Sequence, residues 1–183
     1  VTLARELTLT EVRDIAARCG IETETFIHGA LCYSYSGLCL FSSMMRGRSG
    51  NRGRCSYPCR DFCRVEGHLE PGFPFSMKDL SLGDDVKALR EAGVASFKIE
   101  GRKKSPLYVA TGVNYYRRLL DGKLAPGDAK ELEAQMKTVF SRPWTKLFLE
   151  SSKHQDVVDR DLVGHRGVAI GKVEAVYRPG VGG

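Results

Sequence analysis

Five of the six cysteines in this chain, Cys32, Cys39, Cys55, Cys59 and Cys63, fall within one stretch of thirty-two residues that is otherwise crowded with glycine, serine and arginine. The stretch reads as loop, with one short helix around Leu40–Met45. Thiolates gathered in a glycine-rich loop suit a soft ligand, a metal ion or an iron–sulfur cluster. The sixth cysteine, Cys19, sits at a predicted helix end and reads as a small buried hydrophobe.

Disulfides are the competing use of such cysteines, and the rest of the chain argues against them. Residues 1–20 lack a charged segment followed by an apolar one, so no secretory signal is read there. No apolar run reaches the roughly 18–20 residues that a bilayer crossing takes. Both point to a soluble, cytoplasmic chain without membrane contact, where thiols stay reduced. With 183 residues and 42% hydrophobic content, the chain can bury a core of ordinary size.

The net charge of +6 is unevenly placed: Arg46, Arg48, Arg52, Arg54, Arg60 and Arg64 stand among the cysteines, and Arg102, Lys103 and Lys104 form a second group. Such a field suits an anionic partner, RNA above all. The competing reading is a solvated face whose cations neutralise a thiolate-rich cluster.

Periodicity predicts the remaining elements. Residues 1–6 read as a short strand ending in charge, and Thr8 with Glu11 offers a capping box for a helix that stops near Gly20. Ile21–His28 alternates as a strand. Leu80, Leu82, Val86 and Leu89 predict a helix from Asp79 to Gly93, followed by a strand over Val94–Ile99. Ser105 and Pro106 predict the start of a helix through Leu120, and Pro126 opens another over Gly127–Val139. After Trp144 the texture changes to alternating, glycine-bearing sequence, which places a boundary near residue 143. The strand and helix order indicates a parallel α/β architecture. Three βα units are too few for an eight-stranded barrel, which takes about 250 residues. The chain also begins with Val1 and breaks off in RPGVGG, so it reads as a piece of a longer protein.

His28 ends one predicted strand, and Lys98 and Glu100 end another. If these strands belong to a barrel, all three residues sit at the face where barrel enzymes keep their chemistry. Lys98 or Arg102 suits a carboxylate or phosphate, and Glu100 or His28 suits proton transfer. The alternative is an ion pair of Lys98 and Glu100 with Arg102 as a structural staple. His68, His154 and His165 lie in polar surroundings and read as solvent-facing.

The most specific pattern is Glu24-x-Phe26-x-x-Gly29-Ala30-Leu31-Cys32, with Gly37-x-Cys39-x-x-Ser42 after it. It continues through Arg48-Ser49-Gly50-Asn51-Arg52-Gly53-x-Cys55-x-x-x-Cys59-Arg60, Lys78-Asp79-Leu80, and Lys98-Ile99-Glu100-Gly101-Arg102-x-Lys104-Ser105-Pro106-x-Tyr108. In these ordered blocks, over roughly residues 1–120, the chain resembles peptidase family U32, the collagenase-like proteases. His165-Arg166-Gly167-Val168 and the residues after it resemble the start of the small β-barrel domain that follows in that family.

The resemblance implies the C-terminal half of a TIM-like (β/α) barrel over residues 1–143, with a Cys-rich loop insertion at about 29–64. Residues 144–183 would then be a linker and the beginning of a β domain, and the N-terminal half of the barrel would lie outside this chain. It also implies a 4Fe-4S cluster held by Cys32, Cys39, Cys55 and Cys59, as in members that hydroxylate RNA, a tRNA uridine or a 23S rRNA cytidine. A four-thiolate cluster needs ligands converging from flexible backbone, which glycine supplies. Cys63 remains an alternative to Cys59, and structural zinc remains an alternative to iron, although Cys32 and Cys39 lack the close spacing of a zinc pair. In the RNA reading, Arg48, Arg52 and Arg102 contact phosphates, and prephenate is the implied co-substrate.

Two other functions compete. The family name favours a peptidase, but no H-E-x-x-H motif is present, and a thiolate bound to a cluster is not free to attack an amide. A non-catalytic module in which iron–sulfur or zinc only pins the loop is the third.

Overall fold

Thr8 caps the first helix as its spacing from Glu11 predicts. Its Oγ1 accepts from the Glu11 amide at 3.3 Å, and Glu11 Oε2 accepts from the Thr8 amide at 2.7 Å. This reciprocal pair satisfies two donors that a helix start otherwise leaves orphaned. The computed structural model describes residues 1–36, 38–67, 69–125, 127–153 and 156–176. Gly37, His68, Pro126, His154 and the end of the expected β domain, residues 177–183, lie outside them.

In chain order the elements are α1 (Leu9–Arg18), β1 (Glu24–Ala30), α2 (Phe41–Arg46), β2 (Cys63–Val65), β3 (Leu69–Gly72), β4 (Asp79–Ser81), α3 (Asp85–Glu91), β5 (Ser96–Ile99), α4 (Pro106–Leu120), α5 (Asp128–Val139) and β6 (Trp144–Thr145). Two single 3-10 turns, Gly50–Arg52 and Pro58–Arg60, shape the cysteine loop. β2 and β3 form a separate two-stranded ribbon.

The fold is mixed α/β. Among the described residues one sheet of four strands runs in the order β5-β1-β4-β6. β1 pairs with β5 in parallel and β4 with β6 in parallel, but β1 and β4 are antiparallel. The uniformly parallel sheet expected from the sequence is therefore corrected at one position. Asp79, expected to open a helix, instead begins the antiparallel strand β4, and the helix is confined to Asp85–Glu91. Leu80, Leu82, Val86 and Leu89 satisfy a period of two in their first half and a helical period in their second. Asp79, Leu80 and Ser81 are all buried, so β4 is covered on both faces.

Two further expectations shift. The strand expected over residues 1–6 contributes one parallel bridge, Thr2 to Glu24. The alternating stretch over residues 162–176 forms no strand among the described residues. α4 begins at Pro106 with the Ser105 hydroxyl accepting from the Tyr108 amide at 3.2 Å, as its sequence predicts.

The core gathers Ile27 of β1, Leu80 of β4, Val86 and Leu89 of α3, Tyr115, Tyr116 and Leu119 of α4, and Leu132 and Met136 of α5. Leu147 and Leu149, just after β6, join the same core, and Met77 bridges to Val158. Thr25 and Ile27 are buried while Glu24 and Phe26 are partly exposed, the alternation of a strand covered mainly on one face. No described helix is long and apolar enough to cross a membrane.

Candidate metal centre and nucleic-acid interface

The cysteine loop is tied down at three points. Arg60 Nη1 donates to Ser76 Oγ at 2.7 Å and to the Met77 carbonyl at 2.5 Å, while its Nη2 donates to the Leu31 carbonyl at 3.1 Å. One side chain thus anchors the Pro58–Arg60 turn both to the end of β1 and to the approach to β4. Ser42, fully buried, takes the Ser56 amide on its Oγ at 3.0 Å and shares a 2.9 Å hydrogen bond with the Ser56 hydroxyl. α2 stops at Gly47, whose left-handed φ of 62° lets its amide cap the Ser42 and Ser43 carbonyls.

These anchors place Cys32, Cys39 and Cys55 on the wall of one cavity of about 730 Å³. Cys59 is off that wall but within electrostatic reach of it: burial pushes its thiol up, Cys32 and Cys55 push further, and Arg60 opposes them. Cys63 is drawn elsewhere, starting β2 and directing its thiol to the Asp61 carbonyl at 3.4 Å. All six cysteines are free thiols. Among the described residues no three His, Cys, Asp or Glu side chains stand in a metal-binding arrangement. Cys19 is half-buried rather than buried, because its place at the end of α1 lets the thiol donate to the Ile21 carbonyl at 3.1 Å.

Arg5 supplies a cation to the same cavity. Its guanidinium lies 3.9 Å from the Phe26 ring centroid and donates to the Ala30 carbonyl at 2.9 Å. Burial lowers its pKa, and the neighbouring Cys32, Glu100 and Glu6 oppose that shift.

The arginines divide into two kinds. Arg60 is consumed by structure, and Arg46 pairs with Asp61. Arg48, Arg52 and Arg54 are exposed on the loop whose Gly50 and Asn51 line the cavity. Arg102, also exposed, joins them through a 3.3 Å hydrogen bond from its Nη2 to the Gly53 carbonyl. The three arginines expected to meet phosphates, Arg48, Arg52 and Arg102, therefore lie on one connected surface.

His28, Lys98 and Glu100 do not converge in the same way. The ladder slips between Phe26 and His28, and His28 is buried among the rings of Tyr108, Tyr116 and Trp144 at centroid distances of 5.9, 5.7 and 5.7 Å. A bulge commonly re-aims a side chain in this way. Burial lowers the His28 pKa to about 4, with Asp79 opposing and Lys104 adding to the shift. Its Nδ1 lies 3.3 Å from the Tyr116 hydroxyl. Glu100 touches this residue through backbone, its amide donating to the His28 carbonyl at 2.8 Å, while its carboxylate accepts from the Arg102 amide at 3.1 Å. Lys98 turns to Glu24 at 2.9 Å, so the staple it forms is with β1 and not with Glu100. His165 is exposed yet fixed: its Nδ1 accepts from the Ser141 amide at 2.9 Å and its ring stacks on Phe140.

Sequence reasoning missed Arg5 and Arg142, read Asp79 only as the start of a helix, and read Lys104 only as part of a basic group. Asp79 and Arg142 pair at 2.8 Å in the interior, and Lys104 Nζ lies 3.0 Å from the Phe140 ring centroid. The one available signal was a charge closing an apolar segment, as Arg5 closes residues 1–4; the Asp79–Arg142 pair spans 63 positions and leaves no local trace.

The family model described as Peptidase family U32 matches residues 1–159. A tRNA hydroxylation protein of Bacillus subtilis is 43% identical over 136 residues, which cover 68% of this chain and 32% of that protein. A 23S rRNA 5-hydroxycytidine synthase of Escherichia coli is 38% identical over 198 residues, covering 97% of this chain and 29% of the relative. A collagenase of Porphyromonas gingivalis is 34% identical over 164 residues, covering 78% and 40%. The chain thus spans about a third of the length of the first two of these relatives. No solved structure matches it. A family match over residues 1–159 settles the classification: the chain belongs to peptidase family U32.

Proposed function

We propose that this chain is the cluster-bearing part of an iron–sulfur-dependent enzyme that hydroxylates a base of tRNA or ribosomal RNA. The observation that carries this reading is the shared cavity: Cys32, Cys39 and Cys55 line it together with Gly50 and Asn51, from the loop that exposes Arg48, Arg52 and Arg54. A soft-ligand site and a basic surface are thereby placed side by side. Relatives named for tRNA hydroxylation and for 23S rRNA hydroxycytidine synthesis support the same chemistry.

By their chemistry four thiols suit a 4Fe-4S cluster, and binding one would have to draw together side chains that do not stand in a metal-binding arrangement among the described residues. Four free thiols are available in Cys32, Cys39, Cys55 and Cys59, whereas Cys63 turns its thiol to the Asp61 carbonyl. Arg5 and Arg60, each close to Cys32, offset the negative charge such a cluster carries. When bound, a cluster of this type would supply one-electron redox capacity. The chain's own residues would hold it, with Phe26, Leu31 and Met77 giving the cavity an apolar wall, and would offer RNA phosphates the Arg48–Arg54 loop and Arg102. Prephenate stands in this reading as the co-substrate, with Arg102 available for a carboxylate.

A peptidase reading is favoured by the family's name and by the collagenase relative. The two described histidines do not encourage it. His28 Nδ1 meets a tyrosine hydroxyl, and His165 is bonded to backbone, so neither faces a serine hydroxyl or a cysteine thiol.

The test is binding of single-stranded RNA measured by fluorescence anisotropy between about 50 and 200 mM salt. Affinity should fall steeply across this range, and each of Arg48→Gln, Arg52→Gln and Arg54→Gln should flatten the logarithmic slope by about 0.7. Affinity that is absent, or indifferent to salt, would remove RNA from the account.

A further inference from the structure

Between Cys32 and Cys39 the chain carries two tyrosines that the core does not use, Tyr33 at 50% and Tyr35 at 72% exposure. Both line the cavity that carries the cysteines. Their turn is held in place. Glu6 Oε1 accepts from the Ser36 amide at 2.9 Å, the Tyr35 carbonyl accepts from the Leu38 amide at 3.1 Å, and the Tyr33 ring packs edge-on against Phe75 at 5.2 Å. A turn tied down in this way while its aromatic rings stay in water is built for a partner that stacks on them.

The remaining wall completes the requirement. Phe26, with the Arg5 guanidinium over its ring, brings a further aromatic side chain to the wall, and Asn51 offers an amide that both donates and accepts. The cavity of about 730 Å³ is shared with the cysteines, so a base would occupy only its Tyr33–Tyr35 side. Chemistry on a base in nucleic acid requires that base to leave its stack. Aromatic side chains receive unstacked bases without regard to sequence, and basic residues hold the flanking backbone.

We propose that this cavity takes a single unstacked nucleobase of single-stranded RNA, with Tyr33 and Tyr35 as its stacking rim and the Arg48–Arg54 loop on the adjoining phosphates. The inference rests on the RNA reading above and adds to it where the base goes. The base enters beside Cys32 and Cys39, the two cysteines that bracket the tyrosines in sequence.

Two measurements on the whole chain test it. A single-stranded RNA bearing one 4-thiouridine is irradiated with the protein and the adduct mapped by mass spectrometry, and affinities for single-stranded and duplex RNA are compared in Tyr35→Ala and Tyr35→Phe. The adduct should fall on Tyr33 or Tyr35. Tyr35→Ala should weaken single-stranded binding about tenfold, about 1.4 kcal/mol, and leave duplex binding unchanged, with Tyr35→Phe restoring it. Salt-dependent RNA binding with adducts off the cavity wall and an unaffected Tyr35→Ala would overturn the base pocket alone. Absence of any RNA binding would overturn the pocket and the RNA reading together. Tyr35 is exposed, so its replacement does not threaten the fold.

Discussion

Asp79 and Arg142 form an ion pair at 2.8 Å with side chains only 4% and 9% exposed. The Arg142 amide also donates to Asp79 at 3.3 Å, and its guanidinium reaches the Val163 carbonyl at 3.3 Å. The pair fastens β4 to the segment that follows α5. Removing one partner leaves the other charge buried and uncompensated, which costs about 3–5 kcal/mol. Asp79→Asn should therefore lower stability in urea by that amount, whereas Asp79→Leu combined with Arg142→Met should recover most of it. A single-variant loss below about 1 kcal/mol would show the pair to be solvated.

His28 sets a pH limb of stability. Its pKa is about 4 in the folded chain against an ordinary 6.5, because burial among aromatic rings disfavours the imidazolium. Between these values the unfolded chain binds a proton that the folded chain does not, so stability falls as pH drops from 6.5 towards 4. The loss approaches about 3 kcal/mol at the acid end. His28→Gln should flatten this limb relative to wild type in urea titrations, and parallel pH profiles for the two proteins would contradict the assignment.

Gly29 sits at φ +111° where a Cβ would lie 2.7 Å from the Glu100 carbonyl oxygen and 2.8 Å from the Glu100 Cβ. Both the backbone conformation and the contact exclude a side chain, and a carbonyl in the β1–β5 junction cannot swing aside. Gly29→Ala should destabilise by roughly 2–4 kcal/mol or prevent folding. Thermal denaturation decides it, and a wild-type midpoint would contradict the close approach.

Glu24 is held well below its ordinary 4.5, at about 2, by a hydrogen bond from Lys98 first and by those from Thr2 and Ser96 next. Its folded value lies below its unfolded one, so its contribution is present above 4.5 and lost as pH falls towards 2. Lys98→Met should raise the Glu24 value towards the usual carboxylate range in an NMR titration. An unmoved Glu24 would mean that Lys98 points elsewhere.

What the sequence disclosed followed the range of each interaction. Thr8 with Glu11, and Ser105 with Pro106, act within one helical turn, and both helices begin where those residues predict. The strand at Asp79 was hidden because Leu80 and Leu82 fit a strand while Leu82, Val86 and Leu89 fit a helix; only pairing with β1 decides. The burial of His28 depends on a slip in the β1–β5 ladder, which no side-chain pattern announces. At the site, the cysteines and exposed arginines were legible from composition. Arg5 and the Tyr33–Tyr35 rim were not, because their meaning comes from a cavity assembled from residues far apart in the chain.

Metal content decides whether the cysteine loop holds an iron–sulfur cluster. Wild-type protein and Cys32→Ser are purified without oxygen and assayed for iron, sulfide and zinc, with a visible absorption spectrum. Wild type should carry about four irons with matching sulfide, and Cys32→Ser should lose both. Stoichiometric zinc, or iron retained in full by Cys32→Ser, would contradict the iron–sulfur reading.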